Sequence, residues 1–145
     1  MNVTKATTSC ADWLNEMIKR EFPYTTFTPK HIEERISDPK YIIFVAKQAN
    51  ILTGFAEMEL FLDKHEARLN AVFVEESWRD QKIGTLLVEK SINECKHKKI
   101  QRLFLLVKAD NKGAKHLYEE VGFKFIAMHD KIIDDSEVEV WDMKV

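Results

Sequence analysis

The sequence predicts a mixed α/β (α+β) protein, in which a mostly antiparallel sheet of six to seven strands is flanked by about four helices. Hydrophobic periods of two and of 3.6 residues follow one another in the order strand, two helices, three strands, helix, strand, helix and two strands. The apolar run at residues 103–107 is typical of a strand buried on both faces, so we place it inside the sheet. The lack of linkers and repeats in 145 residues predicts one domain, residues 1–145.

The first third of the chain predicts one strand and two helices. Residues 1–7 form a short strand, and Ser9 is expected to cap a helix over residues 10–20. Thr28 followed by Pro29 marks the start of a second helix. This helix stops before Pro39, because the residue that precedes a proline avoids the helical conformation.

Three strands follow, at residues 41–47, 51–62 and 67–74. Successive side chains of a strand point to opposite faces of its sheet. The second strand therefore has two faces, one with Ala56, Met58, Leu60 and Leu62, the other with Phe55, Glu57, Glu59 and Phe61.

The second half of the chain contains two amphipathic helices. The first covers Ile83–His97, and a strand at residues 101–108 follows it. The inward stripe of this helix, at helical spacing, is Gly84, Leu87, Val88, Ser91, Ile92 and Cys95. The second covers Lys112–Val121, between the cap residue Asn111 and the terminating Gly122. Residues 124–128 and 137–144 close the chain as an antiparallel hairpin.

Composition and charge exclude several classes of partner and cofactor. The net charge is -2 and acids alternate with bases, so there is no basic footprint for nucleic acid or an anionic membrane. No apolar run spans a bilayer, and residues 1–20 lack a signal-peptide block, which predicts a cytoplasmic protein. Cys10 and Cys95 are expected to be reduced. The histidines are scattered without ligand spacing, so we expect no metal.

A polar turn at residues 74–87 joins a strand to a helix. A helix N-terminus presents unpaired N–H groups and partial positive charge, which suit a diphosphate. Gly84 leaves the backbone accessible, and Arg79 and Lys82 add positive charge. Neither the Walker A pattern nor the dinucleotide-binding glycine pattern is present. An ordinary strand–turn–helix connection explains these residues almost as well.

A second stretch, residues 111–123, follows the apolar strand. Ala114, Leu117, Tyr118 and Val121 share one face of its helix. Considered alone, Tyr118 fits a core tyrosine with a satisfied hydroxyl group.

The two stretches together resemble the signatures of the GNAT superfamily of N-acetyltransferases. The first signature, R/Q-x-x-G-x-G/A, reads Arg79-x-x-Lys82-x-Gly84, with Lys82 where a glycine normally stands. A lysine there can keep a helical backbone and offer its ammonium group to phosphate. Lysine adopts positive φ with difficulty, so a requirement for positive φ at this position would count against CoA binding. The second signature, N-x-x-A-x-x-x-Y-x-x-x-G-F, matches at every named position from Asn111 to Phe123. The resemblance implies the GNAT acyl-CoA N-acyltransferase fold.

The resemblance also implies that acetyl-CoA is the co-substrate and enters a splay between the strands at residues 67–74 and 101–108. Tyr118 would protonate the leaving thiolate. From the ordinary pKa values of tyrosine and a thiol, this proton transfer costs about 2 kcal/mol. The acetyl group would pass to a primary amine of a small molecule or peptide by direct attack in a ternary complex. The residues implied for the cofactor are Val72, Phe73, Val74, Arg79, Asp80, Gln81, Lys82, Ile83, Gly84, Thr85, Asn111, Ala114 and Tyr118.

A general base would help, because an amine of pKa near 10.4 is neutral to only about one part in a thousand at pH 7. Arg68 and Leu106 occupy two strand positions that carry a carboxylate in some members of the superfamily. The remaining catalytic candidates are Glu57 and Glu59, followed by Glu66. A solvated sheet face explains these glutamates equally well.

The acceptor pocket is expected between the first two helices and the last hairpin. Asp134, Asp135 and Glu137 of that hairpin would attract a cationic amine. The terminal strand offers an edge that could pair with a second copy as a homodimer. Two other functions also fit: a catalytically silent CoA-binding sensor or interaction module, and a nucleotide-phosphate-binding domain without acetyl transfer.

Overall fold

The computed structural model describes residues 1–23, 25–133 and 135–145. In these ranges the strands are β1 (Asn2–Lys5), β2 (Tyr41–Gln48), β3 (Ile51–Phe61), β4 (Glu66–Val74), β5 (Arg102–Lys108), β6 (Lys124–Ile133) and β7 (Ser136–Lys144). The helices are α1 (Ala11–Glu21), α2 (Pro29–Ser37), α3 (Ile83–His97) and α4 (Lys112–Val121). The strands form one sheet in the order β1-β2-β3-β4-β5-β7-β6, and only the β4–β5 pair is parallel. None of the four helices is long and apolar enough to cross a membrane.

The predicted mixed sheet with four flanking helices is confirmed, with local corrections. Leu62 is not part of β3, because it opens a 3-10 turn and is 58% exposed. Ser9 does not cap α1, since its hydroxyl group bonds to that of Thr7 beside a 3-10 turn over Thr8–Cys10. Strand β6 continues to Ile133 instead of ending at residue 128. The terminal strand β7 is not the edge strand that the sequence predicted, because it lies between β5 and β6.

One face of the sheet, the α3/α4 face, is a closed core. The predicted stripe of α3 is buried there, against alternate residues of β2 to β5 and Trp141 of β7. Leu87 and Val88 at the centre of the stripe are fully buried.

The opposite face, the α1/α2 face, is covered only in part. Its core joins Leu14 of α1 and Ile32 of α2 to Val45, Phe55 and Phe73 of strands β2, β3 and β4. Within the described chain, no residue of β5, β6 or β7 belongs to this core. The far half of this face lies outside that core, although Val138 of β7 is fully buried there and Leu106 and Val140 are half-buried.

Strand β5 lies inside the sheet, as predicted, but it is not buried on both faces. Leu103, Leu105 and Val107 are buried on the α3/α4 face. Phe104 and Leu106 are only half-buried on the other face. The prediction of two buried faces was wrong because the α1/α2 core ends at β4.

A β-bulge in β4 changes the geometry at the centre of the sheet. Glu57 pairs with Ala71 and Met58 pairs with Leu69, so Asn70 is an extra residue in β4. A bulge bends its strand and increases the local twist. Strand β4 consequently turns away from its parallel neighbour at this point.

The pairing of β4 with β5 ends at Leu69 opposite Leu105. Both strands continue, β4 to Val74 and β5 to Lys108, but they are no longer paired. The expected splay between these two strands is therefore present, and it begins at the bulge.

Candidate active site

The splay leaves one edge of β4 without a strand partner. The N–H of Glu75 donates to the carbonyl of Thr53 at 2.8 Å, and backbone groups alternate in direction along a strand. Val72 and Val74 therefore direct their N–H and C=O groups away from β3 and toward the splay. The carbonyl of Val74 accepts a bond from Arg79 Nε at 3.1 Å. The other groups of this edge can bind an extended ligand as an added strand would.

Phe73 is placed differently from its two neighbours. By the same alternation its backbone faces β3, and its ring stacks on Phe55 with 5.8 Å between centroids. This ring belongs to the α1/α2 core, so Phe73 holds the edge in position from the opposite face.

The turn after β4 contains two residues other than glycine in the left-handed conformation. Asp80 has φ +65° and Lys82 has φ +62°. Of the two conformations considered for Lys82, the structure has positive φ, the one that counts against CoA binding, and Lys82 is the N-cap of α3. Such a conformation costs about 1–2 kcal/mol for a residue with a β-carbon. Gln81 lies between the two and is exposed.

The front of α3 has backbone donors without partners in the helix. The first bond within the helix runs from the N–H of Leu86 to the carbonyl of Lys82 at 3.1 Å, and the Lys82 side chain does not cap the helix. By helix geometry, the N–H groups of Ile83, Gly84 and Thr85 point out of its first turn. Together with the exposed Lys82 ammonium group they suit a diphosphate.

Gly84 lies where α3 approaches both β4 and α4. A β-carbon at this position would lie 2.9 Å from Leu117 Cδ1, 3.8 Å from Val74 Cγ2 and 4.0 Å from Val72 Cγ1. The glycine therefore lets α3 pack against α4 while its front remains beside the free edge of β4. The sequence indicated the accessible backbone, but not the contact with Leu117.

Helix α4 begins and ends as predicted. The side-chain oxygen of Asn111 accepts a bond from the N–H of Ala114 at 3.1 Å, and Gly122 ends the helix with φ +111°. Ala114 and Tyr118 pack against the α3/α4 core on either side of Leu117. Leu117, which approaches Gly84 at the front of α3, directly precedes Tyr118 in this helix.

Tyr118 is half-buried, and its ring meets Phe123 edge-on with 5.6 Å between centroids. Burial raises the pKa of Tyr118 to about 12. The phenol therefore stays protonated throughout the physiological range and can act only as a donor of its proton. Transfer to a thiolate whose thiol has a pKa near 8.5 is then uphill by about 5 kcal/mol, compared with about 2 kcal/mol for an ordinary tyrosine.

Glu57 lies on the α1/α2 face, next to the bulge and opposite Ala71. Its carboxylate is buried and accepts a hydrogen bond from the guanidinium group of Arg35 in α2. To accept a proton from an amine, it would have to weaken this ion pair.

Glu59 and Glu66 lie on the same face and are also ion-paired. Glu59 Oε2 is 3.1 Å from Lys40 Nζ, and Oε1 is 3.2 Å from Arg68 Nη2. Glu66 Oε2 accepts from Arg102 Nη1 at 3.2 Å. No candidate base proposed from the sequence is thus unpaired in the described chain.

The hairpin between β6 and β7 carries the acidic residues expected near the acceptor. Asp135 and Glu137 are exposed, and Asp135 has φ +61°. Asp134 lies outside the described residues.

Sequence reasoning missed two features of the site. One is Asn70, whose side-chain oxygen accepts from Arg68 Nε at 2.6 Å. The sequence could have revealed this extra residue. The apolar positions on the α3/α4 face of β4 change from the odd numbers 67 and 69 to the even numbers 72 and 74, which indicates one additional residue between them. The other is Arg35, a cation on the inward face of α2 that could have been paired with Glu57.

The fold and the site define a class of protein. Two parallel strands splay apart, the first of them leads into a helix without a side-chain cap, and the following helix carries a tyrosine. This is the arrangement of the GNAT fold. The family model "Acetyltransferase (GNAT) family" matches residues 8–123, and the chain belongs to this family.

Relatives of known structure and activity agree with this membership. The [ribosomal protein bS18]-alanine N-acetyltransferase of Escherichia coli K12 is 33% identical over 84 residues, which are 58% of this chain and 55% of the relative. The chain thus matches about half the length of that relative.

Two solved structures share the fold. The ribosomal-protein-S18-alanine N-acetyltransferase of Escherichia coli superimposes with a TM-score of 0.82 at 21% identity, over 99% of this chain and 93% of that one. The structure of yncA from Salmonella typhimurium, solved with its cofactor acetyl-CoA, has a TM-score of 0.88 at 12% identity, over 99% of this chain and 93% of that one.

Proposed function

We propose that this protein transfers the acetyl group of acetyl-CoA to a primary amine of a peptide or small molecule. The observation that carries the proposal is the convergence of three features at the splay. They are the unpaired edge at Val72 and Val74, the uncapped first turn of α3 and the half-buried Tyr118.

The cofactor would be held by backbone groups. Its diphosphate would bind the N–H groups at the front of α3, with Lys82 as a nearby cation. Its pantetheine arm would extend along Val72 and Val74. Cofactor affinity should therefore depend on the backbone approach at Gly84 more than on any single charged side chain.

The reaction is direct attack of the amine nitrogen on the thioester carbonyl. The C–N bond forms first and gives a tetrahedral oxyanion, and the nitrogen loses its proton to solvent. The C–S bond then breaks as Tyr118 gives its proton to the leaving thiolate, and the tyrosinate takes up a proton from solvent. An N–H of the β4 edge would stabilise the oxyanion. The cost of about 5 kcal/mol for proton donation is reduced when the thiolate forms in the same poorly solvated place, because burial also makes a thiolate more basic.

The acceptor class follows in part from relatives. The Escherichia coli relative is named for an alanine of ribosomal protein bS18. A peptide or protein amine is therefore included among the acceptors to be tested, beside small-molecule amines.

Calorimetric titration with CoA, with ATP as the control ligand, tests the cofactor site first. Acetyl-CoA is then supplied with a panel of amines, while free thiol is recorded and the acetylated product is identified by mass spectrometry. We expect binding of CoA and turnover with at least one amine. Binding without turnover would indicate a sensor, and binding of ATP alone would reject the proposal.

A matched pair of variants locates the cofactor. Gly84→Val places a branched side chain against Leu117 and the β4 edge, whereas a β-carbon at Gly113 meets no atom within 4 Å. We expect Gly84→Val to weaken CoA binding at least tenfold and Gly113→Val to leave it unchanged. Circular dichroism checks that both variants fold. Equal affinities in the two variants would place the cofactor elsewhere.

A further inference from the structure

We propose that Glu139 of β7 is a positioning residue for acetyl transfer. Through Lys115 it fixes the rotation of α4 about its axis, and with it the direction in which Tyr118 points its hydroxyl group. This inference rests on the function proposed above and adds two residues that are not specified by either family signature. It makes Tyr118 dependent on a strand that lies two places from β4 in the sheet.

The Glu139 carboxylate is the centre of a polar network on the α3/α4 face of β7. Its cross-strand partner is Val107 of β5, and Trp141 lies two residues further along β7, both in the α3/α4 core. The Glu139 side chain is only 12% exposed. Its Oε1 accepts from Trp141 Nε1 at 2.9 Å, and its Oε2 accepts from Lys115 Nζ at 3.1 Å. Each carboxylate oxygen therefore has its own donor, one on the strand and one on α4.

Lys115 joins this carboxylate to the first turn of α4. Its ammonium group donates a second bond, to the carbonyl of Ala109, at 2.8 Å. Ala109 directly follows β5, and its own N–H donates to the carbonyl of Glu137 in β7 at 2.8 Å. The start of α4 is thus attached both to the β5–α4 connection and to β7.

The carboxylate of this network is ionised at neutral pH. Burial acts to raise the pKa of Glu139, but the hydrogen bonds from Trp141 and Lys115 outweigh it, so the pKa lies below the ordinary value for a glutamate. A hydrogen bond with an ionised partner is roughly twice as strong as one between neutral groups. The attachment of Lys115 to Glu139 therefore persists throughout the pH range of an acetylation assay.

The other contacts of α4 stabilise the helix without fixing its rotation. Asn111 caps its start, Gly122 ends it, and Leu117 and Val121 pack against the α3/α4 core. Apolar burial is non-directional, so such packing allows small rotations and shifts of the helix. Hydrogen bonds, in contrast, weaken steeply when their angle changes. The bonds of Lys115 therefore select one rotation of α4.

The rotation of α4 determines where the Tyr118 hydroxyl group points. Tyr118 comes three residues after Lys115, so the two side chains are neighbours on the helix surface. In the part of the chain that the structure describes, no group hydrogen-bonds to this hydroxyl, and the ring is held by its contact with Phe123 and by the core. The helix itself must therefore aim the proton donor. A misplacement of about 1 Å at a reacting group costs about a hundredfold in rate.

Two variants break the network, and a third serves as the control. Lys115→Met keeps an unbranched side chain but removes both bonds of the ammonium group. Glu139→Gln keeps the size of the side chain but turns an amide group toward one of its two donors. The control is Glu120→Gln, which breaks an exposed ion pair with His116 at 3.0 Å that lies entirely within α4. Each change is made in the wild type and in Tyr118→Phe.

The measurements are the single-turnover rate of acetyl transfer, with the amine that the acceptor panel shows to react fastest, and the Kd for CoA. With Tyr118 present, we expect Lys115→Met and Glu139→Gln to lower the rate by at least about fivefold, while the Kd changes less than about twofold. In the Tyr118→Phe background the same changes should lower the rate less than about twofold, because the hydroxyl group that they misdirect is absent. The control should have no effect in either background.

The double-variant comparison separates positioning from stability. A general loss of structure lowers the rate by the same factor with and without the tyrosine hydroxyl group, so equal losses in the two backgrounds would overturn the inference. An unchanged rate in Lys115→Met with Tyr118 present would overturn it as well. If Lys115→Met does not fold, as judged by circular dichroism, Glu139→Gln carries the test because it conserves shape.

Failure of the inference differs from failure of the proposed function. Turnover that depends on Tyr118 but not on Lys115 or Glu139 keeps acetyl transfer and rejects only the positioning role. Absence of product from every amine with the wild type, despite CoA binding, rejects acetyl transfer and the inference together.

Discussion

Two strand-to-helix connections leave the centre of the same sheet, and they start their helices in opposite ways. After β5, Asn111 accepts the N–H of Ala114, so α4 satisfies a donor at its own start. After β4, Lys82 caps α3 with its backbone in the left-handed region and gives no side-chain acceptor. Asp80 in the same turn is also left-handed.

The difference distinguishes a helix start that caps itself from one that leaves its backbone donors open for the proposed ligand. A helix start that supplies its own acceptor gains about 1 kcal/mol of stability, as α4 does. A start that leaves its donors open and contains strained residues is less stable until an anion arrives. The contrast supports the proposed binding of a ligand at α3 and the proposed positioning of Tyr118 by α4, and a separate variant tests each of the two proposals.

The largest expected effect is at Tyr118. Tyr118→Phe keeps the ring against Phe123 but removes the proton donor, and general acids typically contribute 10²–10⁴-fold. We expect kcat to fall about a hundredfold or more while the Kd for CoA, measured by calorimetry, changes less than about twofold. An unchanged kcat would remove Tyr118 from the mechanism.

The same residue predicts a pH effect on stability. Burial raises the pKa of Tyr118 to about 12 from an ordinary value near 10, so folding favours the protonated phenol. Its contribution is fully present below pH 10 and is lost between pH 10 and 12. Urea unfolding should therefore show the wild type losing about 2–3 kcal/mol more than Tyr118→Phe over this window. If the free energy of unfolding changed equally with pH in the wild type and in Tyr118→Phe, the hydroxyl group would be solvated in the folded protein.

Removal of the α4 cap makes the two helix starts alike. Asn111→Ala leaves the N–H of Ala114 without its acceptor and should lower the free energy of unfolding by about 1 kcal/mol. Asn111→Asp retains an oxygen at the same position and serves as the matched control. A loss of the same size in both variants would show that the cap does not stabilise α4.

The smallest effect is expected from relief of strain at the start of α3. Lys82→Gly removes about 1–2 kcal/mol of left-handed strain but adds about 0.5–1 kcal/mol of backbone entropy loss, for a net gain of about 0.5–1 kcal/mol. Lys82→Met keeps the strain and should leave stability unchanged. Both variants lose the ammonium group, so both should weaken CoA binding by the same few-fold, less at high salt. A gain in stability with methionine would contradict the strain at this position.

The sequence predicted the parts of the site that depend on local chemistry. Asn111 and Gly122 are at the ends of α4 because their side-chain and backbone properties suit those positions whatever surrounds them. The inward stripe of α3 could be predicted because the helical period of 3.6 residues identifies the buried face of a helix whatever that face packs against.

The features that sequence reasoning missed depend on distant residues. Lys82 reads as helical from its own preferences, yet the direction in which α3 must leave the turn imposes positive φ on it. Phe104 and Leu106 read as core, but their burial depends on how far α1 and α2 extend over the sheet. Glu57 reads as a free carboxylate until α2 brings Arg35 to it.

The sequence by itself determined the order of elements, the two motifs and the presence of a tyrosine one turn after Ala114, because each follows from neighbours along the chain. Only the tertiary structure decided that β4 leaves β5 at Leu69, that Gly84 touches Leu117 and that the carboxylates of the open face are paired. The physical reason is that strand separation, helix contact and ion pairing depend on groups far apart in the chain, which no local propensity reports.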